Sequence, residues 1–154
     1  MNIFKQGLLF STLAAASAIS IEASAQGQEI KAGEISVTQS VVRPTRGGEK
    51  VGIGYLTVRN TAAAADRLVA IESPVAEKVE VHRASIDSGA VRQHERDGIP
   101  VPPTGEVSLP SGAGHIMFEG IKTPFTEGDT IAATLVFETA GRIPMTFRVE
   151  SAPR

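Results

Sequence analysis

The sequence predicts an all-β domain, an antiparallel sandwich or barrel made of short strands. β-Branched and aromatic residues recur in short runs at intervals of about 8 to 14 residues. Clusters containing Gly, Pro, Asn or Asp separate these runs, as turns separate strands. No long apolar pattern with helical spacing follows residue 25. Together these three observations favour a sheet protein over a helical one.

The predicted strands follow one another along the chain after a polar leader at 26–33. They are 35–42, 52–59, 67–73, 78–84, 107–109, 115–118, 130–138 and 143–149. The alanine-rich segment 61–65 is too short for a helix and lies between two strand patterns, so a loop is predicted there. Segment 97–105 contains three prolines, which cannot donate ladder hydrogen bonds, and is predicted to be a loop or edge connection.

The last predicted strand has the clearest alternation. Ile143, Met145, Phe147 and Val149 lie on one face, with polar residues or proline between them. Met145 is therefore predicted to be a core residue. The turn at 139–142 suits a hairpin that returns from the preceding strand.

The N-terminal segment is predicted to be a secretory signal peptide, residues 1–25. An almost uncharged stretch of about 15 residues is followed by Ala23-Ser24-Ala25, a small-residue cleavage pattern. The stretch is shorter than the roughly 20 residues that span a bilayer. Cleavage after Ala25 would export a single domain, residues 26–154, to the periplasm, with no membrane insertion of the mature chain.

Composition excludes several function classes. The net charge is -2, without a cationic tract, so nucleic acid is not an expected partner. The chain has no cysteine, which excludes disulfides and the thiolate of a blue-copper electron-transfer centre. No nucleophile-elbow motif surrounds any serine, which argues against a serine hydrolase. Any metal site must use other ligands.

The segment around His115 places two metal-binding side chains on the outer face of a strand. Alternation directs Ile116 and Phe118 to the core and leaves His115 and Met117 on the opposite face, where a methionine is unusual. The same reasoning for 78–84 directs Val79 and Val81 inward and His82 outward.

Imidazole and thioether donors form a soft site that suits copper, and Cu(I) more than zinc or calcium. A His-x-Met pair alone is a weak pattern, because it is short. The alternative is that Met117 covers a small apolar patch and that the histidines are ordinary surface residues.

The chain also resembles the periplasmic copper chaperones of the PCuAC type, small cupredoxin-like β proteins. The resemblance rests on Gly54-Tyr55-Leu56-Thr57-Val58-Arg59-Asn60-Thr61, Asp66-Arg67-Leu68, Ser73-Pro74, Val79-Glu80-Val81-His82, Asp97-Gly98-Ile99 and Gly114-His115-Ile116-Met117. The family's copper motif is a His, ten residues, a Met, 21 residues and His-x-Met. His82, position 93, His115 and Met117 reproduce that spacing.

The chain departs from the family motif at one ligand, because position 93 is Gln and nearby Val91 offers no thioether either. The amide oxygen of Gln93 is a harder donor, which should weaken Cu(I) binding or shift the preference toward Cu(II). His94 is the rival fourth ligand if this stretch is a loop or the end of a hairpin. Three ligands, His82, His115 and Met117, would still form a trigonal site.

The resemblance implies a cupredoxin-like Greek-key sandwich or barrel and a non-enzymatic carrier of one copper ion. It also implies copper-accepting periplasmic or membrane-bound partners, such as a cytochrome oxidase copper centre or its assembly factors. A monomer is expected. The alternative is an interaction module of the same fold that has lost tight copper binding with the missing methionine and recognises a protein partner.

Overall fold

The computed structural model describes residues 29–87, 90–93, 98–109 and 114–151, with side chains described outside 83–93. All regular secondary structure in these ranges is β. The strands are β1 (Ile30–Ala32), β2 (Ile35–Val42), β3 (Val51–Asn60), β4 (Asp66–Glu72), β5 (Lys78–Asp87), β6 (Ala90–Gln93), β7 (Ile99–Val101), β8 (Gly105–Leu109), β9 (Gly114–Glu119), β10 (Thr130–Phe137) and β11 (Gly141–Val149). In this part of the chain, no helix has the length and apolar character needed to cross a membrane.

The strands form one curled sheet in the order β6-β5-β9-β3-β2-β11-β10-β4-β7, with β1 beside β2 and β8 beside β3. This confirms the all-β, cupredoxin-like fold class. The sheet is antiparallel except at one junction, where β11 and β2 run parallel. Their contact spans only Arg148 with Val41 and Val149 with Val42.

All eight predicted strands are present, most with shifted ends. The alternation in β11 is confirmed, since its apolar residues are buried and Met145 is only 5% exposed. The predicted hairpin is also confirmed, because Leu135 of β10 pairs with Ile143 of β11 across the turn that joins the two strands. Segment 61–65 is a loop, as expected.

Three short strands were missed by the sequence analysis. β1 lies in the segment taken for a polar leader, and β6 has only four residues, too few for a recognisable alternation. β7 lies in the proline-rich segment and pairs, among the described strands, only with β4. Its edge position fits the expected edge connection, because Pro100 has no N–H to donate to a second neighbour.

The core is organised around Phe118 of β9, which is fully buried. Its ring makes edge-to-face contacts with Phe125 and Phe147, at centroid distances of 5.8 and 5.6 Å. Gly54 of β3 allows this packing, because a Cβ there would lie 2.9 Å from a Val42 methyl and 3.0 Å from the Phe118 ring. The aromatic cluster thus fixes the inner face of β9 and, by alternation, its outer face.

A β-bulge in β2 helps the sheet to curl. The β2–β3 register shifts between Thr38 and Val41, so β2 gains one residue relative to β3. At the bulge, Gln39 adopts a left-handed backbone conformation, with a φ of 52°, which is uncommon for residues other than glycine. Bulges bend a strand and increase its twist. Within the bulge Ser40 donates a hydrogen bond to the Thr146 carbonyl oxygen at 3.1 Å, and just beyond it β2 joins β11.

Asp66 at the start of β4 anchors the β10–β11 turn. Its carboxylate accepts hydrogen bonds from the backbone N–H groups of Arg67, Thr139 and Ala140, at 2.7, 2.9 and 2.9 Å. Burial acts to raise the pKa of Asp66, but these donors favour the charged form and the net pKa is lowered.

The burial pattern predicts unequal costs for the same substitution at two sites. Val37→Ala should lower the free energy of unfolding by about 2 to 3 kcal/mol, because Val37 is fully buried in β2. Val69→Ala removes the same atoms from a residue that is 47% exposed. It should cost no more than about 0.5 kcal/mol. Urea unfolding monitored by circular dichroism measures both, and equal losses would contradict the assigned core.

The lowered pKa of Asp66 predicts an acid-dependent contribution to stability. A carboxylate with a depressed folded-state pKa stabilises the protein above its unfolded pKa of about 3.9, and this contribution is lost as pH falls below that value. The difference in unfolding free energy between wild type and Asp66→Asn should therefore shrink as pH drops below about 4. Unfolding curves at a series of pH values test this, with Asp129→Asn, at an exposed loop residue, as the charge control. A difference that is constant with pH would rule out this role.

Candidate metal centre

The pairing register of β5 with β9 brings the candidate ligands together. His82 lies directly opposite His115, and Glu80 lies opposite Met117. Between them, Val79 and Val81 pack against the core, while Ile116 is fully buried. Because alternate residues face opposite sides, His82, His115 and Met117 share the outer face of two adjacent strands.

The two imidazoles form a close pair on this face. Their ring centroids are 5.3 Å apart, and the ring planes are inclined by 39°. The His82 side chain is only 17% exposed, so the pair is more sheltered than ordinary surface histidines. Burial lowers the pKa of His115, and the neighbouring His82 lowers it further. Both effects favour the neutral His115 imidazole, which is the form that binds metals.

Met117 lies two residues along β9 from His115, a separation of about 6 to 7 Å on the same face. Its strand neighbours differ on the two sides. Glu80 of β5 is opposite it on one side, and Ile53 of β3 is opposite it on the other. The half-buried thioether thus lies at a boundary between an acidic and an apolar environment.

Two glutamates extend this outer face, and the sequence analysis did not list them as ligands. Ligand atoms of Glu80, His82 and Glu119 all lie within 4.8 Å of one another, and all three residues are partly buried. Glu80 Oε2 is 3.3 Å from His82 Nε2, and its other carboxylate oxygen pairs with Lys78. The same two-residue alternation that selected His82 and Met117 could have identified Glu80 and Glu119.

The fourth position of the family motif is only partly described. Gln93 is the last residue of β6 and is in register with Ala84, two residues beyond His82 on β5. Its backbone therefore lies on the strand next to the His82 strand. The side chain of Gln93 and the whole of His94 lie outside the described residues. The choice between them remains a prediction.

The arrangement on β5 and β9 offers two imidazoles and one thioether from one side of a sheet. Two nitrogen donors and one soft sulfur donor suit a soft or borderline metal ion. Among the described residues, all three side chains project from one face, so an ion held by them would be reached from that face. Such an ion could exchange ligands with a second protein.

Comparison with known proteins assigns the chain to a family. The family model described as "Putative lipoprotein LpqE-like" matches residues 35–149, most of the chain. The chain belongs to this family. A curated relative from Leifsonia xyli subsp. xyli (strain CTCB07), "Putative lipoprotein Lxx21020", is 28% identical to this LpqE-like protein over 134 residues. That alignment covers 86% of this chain and 80% of the relative.

Solved structures of PCuAC domains share the fold. A copper-bound PCuAC domain from PmoF2 is 27% identical, with a TM-score of 0.69, and the match covers 80% of this chain and 98% of that domain. The Cu(I) form of DR1885 from Deinococcus radiodurans is 18% identical, with a TM-score of 0.61. The match covers 81% of this chain and 82% of that chain, and at this identity it supports the fold alone. The resemblance of this LpqE-like protein to the PCuAC type is confirmed.

Proposed function

We propose that this LpqE-like protein is a copper carrier of the cell envelope that binds one Cu(I) ion through His82, His115 and Met117. The observation that carries the proposal is the β5–β9 register, which sets His82 opposite His115 and leaves Met117 on the same outer face. The copper-bound state of the PmoF2 domain, at 27% identity, supports copper as the cargo.

The donor set favours Cu(I) over harder ions. A thioether binds Cu(I) well and contributes little to the binding of calcium or magnesium. The chain has no cysteine, so Met117 supplies the soft donor of this set. Burial lowers the pKa of His115, and a neutral imidazole can coordinate copper without first losing a proton.

A site that an acceptor can reach from one face would allow the copper ion to be transferred. An acceptor's ligands could approach the ion from solvent and replace the three donors one at a time, so no covalent chemistry is needed. The acceptors would be copper-accepting envelope proteins, such as a cytochrome oxidase copper centre or its assembly factors. The lipoprotein description of the family supports an exported location, and cleavage after Ala25 with a monomeric mature domain remains part of the proposal.

Competition with a chromophoric Cu(I) chelator tests the ligands. His115→Ala and Met117→Leu should each weaken Cu(I) binding by at least about 100-fold, because even outer-shell partners of metal ligands typically contribute about 10- to 100-fold. Leucine matches the size of methionine but has no sulfur. Met145→Leu is the matched control, since Met145 is a buried core thioether and its loss should leave Cu(I) affinity unchanged.

Two outcomes of this titration would overturn the copper proposal. One is wild-type binding too weak to compete with the chelator, which would favour the metal-free interaction module. The other is an affinity unchanged by both His115→Ala and Met117→Leu, which would place the ion elsewhere.

The fourth ligand can be tested at positions 93 and 94. Gln93→Met restores the family's thioether. Because Cu(I) prefers soft donors, this substitution should tighten Cu(I) binding if position 93 faces the ion. His94→Ala should weaken binding only if His94 is the ligand. The same chelator competition measures both variants. No change in either would mean that the ion has three protein ligands.

A further inference from the structure

We propose that Glu80, His82 and Glu119 form a second, harder metal site for a divalent ion such as Zn(II) or Cu(II), and that it shares His82 with the Cu(I) site. The divalent site stands on its own geometry. The sharing of His82 rests on the proposed copper function.

The geometry of the three side chains carries the proposal. One nitrogen of His82 and one oxygen each of Glu80 and Glu119 lie within 4.8 Å of one another, close enough to converge on a single ion. Glu80 comes from β5 and Glu119 from β9, so the site spans the same strand pair as the histidines. Strand pairing therefore fixes the backbone positions from which the three donors project.

The charges on this face also favour a cation. Two carboxylates this close repel each other, and partial burial of both groups strengthens the repulsion. Lys78 pairs with one oxygen of Glu80, but the Lys78 side chain is 61% exposed and can swing away into solvent. One ammonium offsets one of the two negative charges. A divalent ion between Glu80 and Glu119 would offset both.

The donor types select the class of ion. One imidazole nitrogen and two carboxylate oxygens suit Zn(II) and Cu(II), whereas calcium and magnesium prefer oxygen ligands alone. Affinities of such sites generally rise to Cu(II) and fall again at Zn(II). Because Met117 is not part of this set, the divalent site does not depend on the thioether.

Because both sites use His82, binding at one site opposes binding at the other. His82 lies directly opposite His115, and its Nε2 is 3.3 Å from Glu80 Oε2. The ring has two nitrogens, but two cations held on one imidazole would repel each other. Binding of Zn(II) should therefore reduce the affinity for Cu(I), and binding of Cu(I) should reduce the affinity for Zn(II).

Titration of the mature protein with Zn(II) against a chromophoric zinc indicator, without copper, tests the divalent site. Glu80→Gln and Glu119→Gln should each weaken Zn(II) binding by about tenfold or more. Met117→Leu should leave Zn(II) binding unchanged. Glu106→Gln, at an exposed glutamate of β8, is the matched control and should also have no effect. Circular dichroism checks that each variant is folded.

The Zn(II) results separate this inference from the copper proposal. Absent Zn(II) binding in the wild type, or unchanged binding in both Glu80→Gln and Glu119→Gln, would overturn the divalent site whatever the Cu(I) result. A loss of Zn(II) binding in Met117→Leu would overturn it as well, by placing the ion on the soft donors. In a second arm, protein preloaded with Cu(I) should bind Zn(II) more weakly. Equal Zn(II) affinity with and without Cu(I) would overturn the sharing of His82.

Discussion

The pairing register between β5 and β9 is the constraint on which the outer face depends. The register is held by inward residues, with Val81 opposite Ile116 and Val79 opposite Phe118. A slip of one residue would expose those side chains and bury the charged and imidazole groups, at a large cost in free energy. Hydrophobic burial on one side of the β5–β9 pair therefore fixes the positions of His82, His115 and Met117 on the other side.

The β5–β9 strand pair thus presents both soft and hard donors on one face. His115 and Met117 of β9 provide nitrogen and sulfur, while Glu80 of β5 and Glu119 of β9 provide oxygen. His82 is common to both groups. A carrier built in this way would distinguish metals by donor softness at a single location, because both donor sets project from the same strand pair.

The curl of the sheet required contacts that are distant in sequence. The bulge at Gln39 lies in the pairing of β2 with β3, and the short parallel junction joins β2 to β11, about 100 residues further along the chain. Nothing in the local sequence of 35–42 indicates this, because a bulge depends on which strand lies alongside. The three short strands β1, β6 and β7 were missed for the same reason, since each is defined by its partner more than by its own pattern.

The sequence by itself determined the eight longer strands, the inward faces of β9 and β11, and the candidate ligands His82, His115 and Met117. It could do so because side-chain alternation is a local property with a period of two residues. Only the tertiary structure decided that His82 lies directly opposite His115 and that Glu80 and Glu119 approach the same point. Cross-strand pairing brings residues more than 30 positions apart into contact, and that depends on the register set by the whole core.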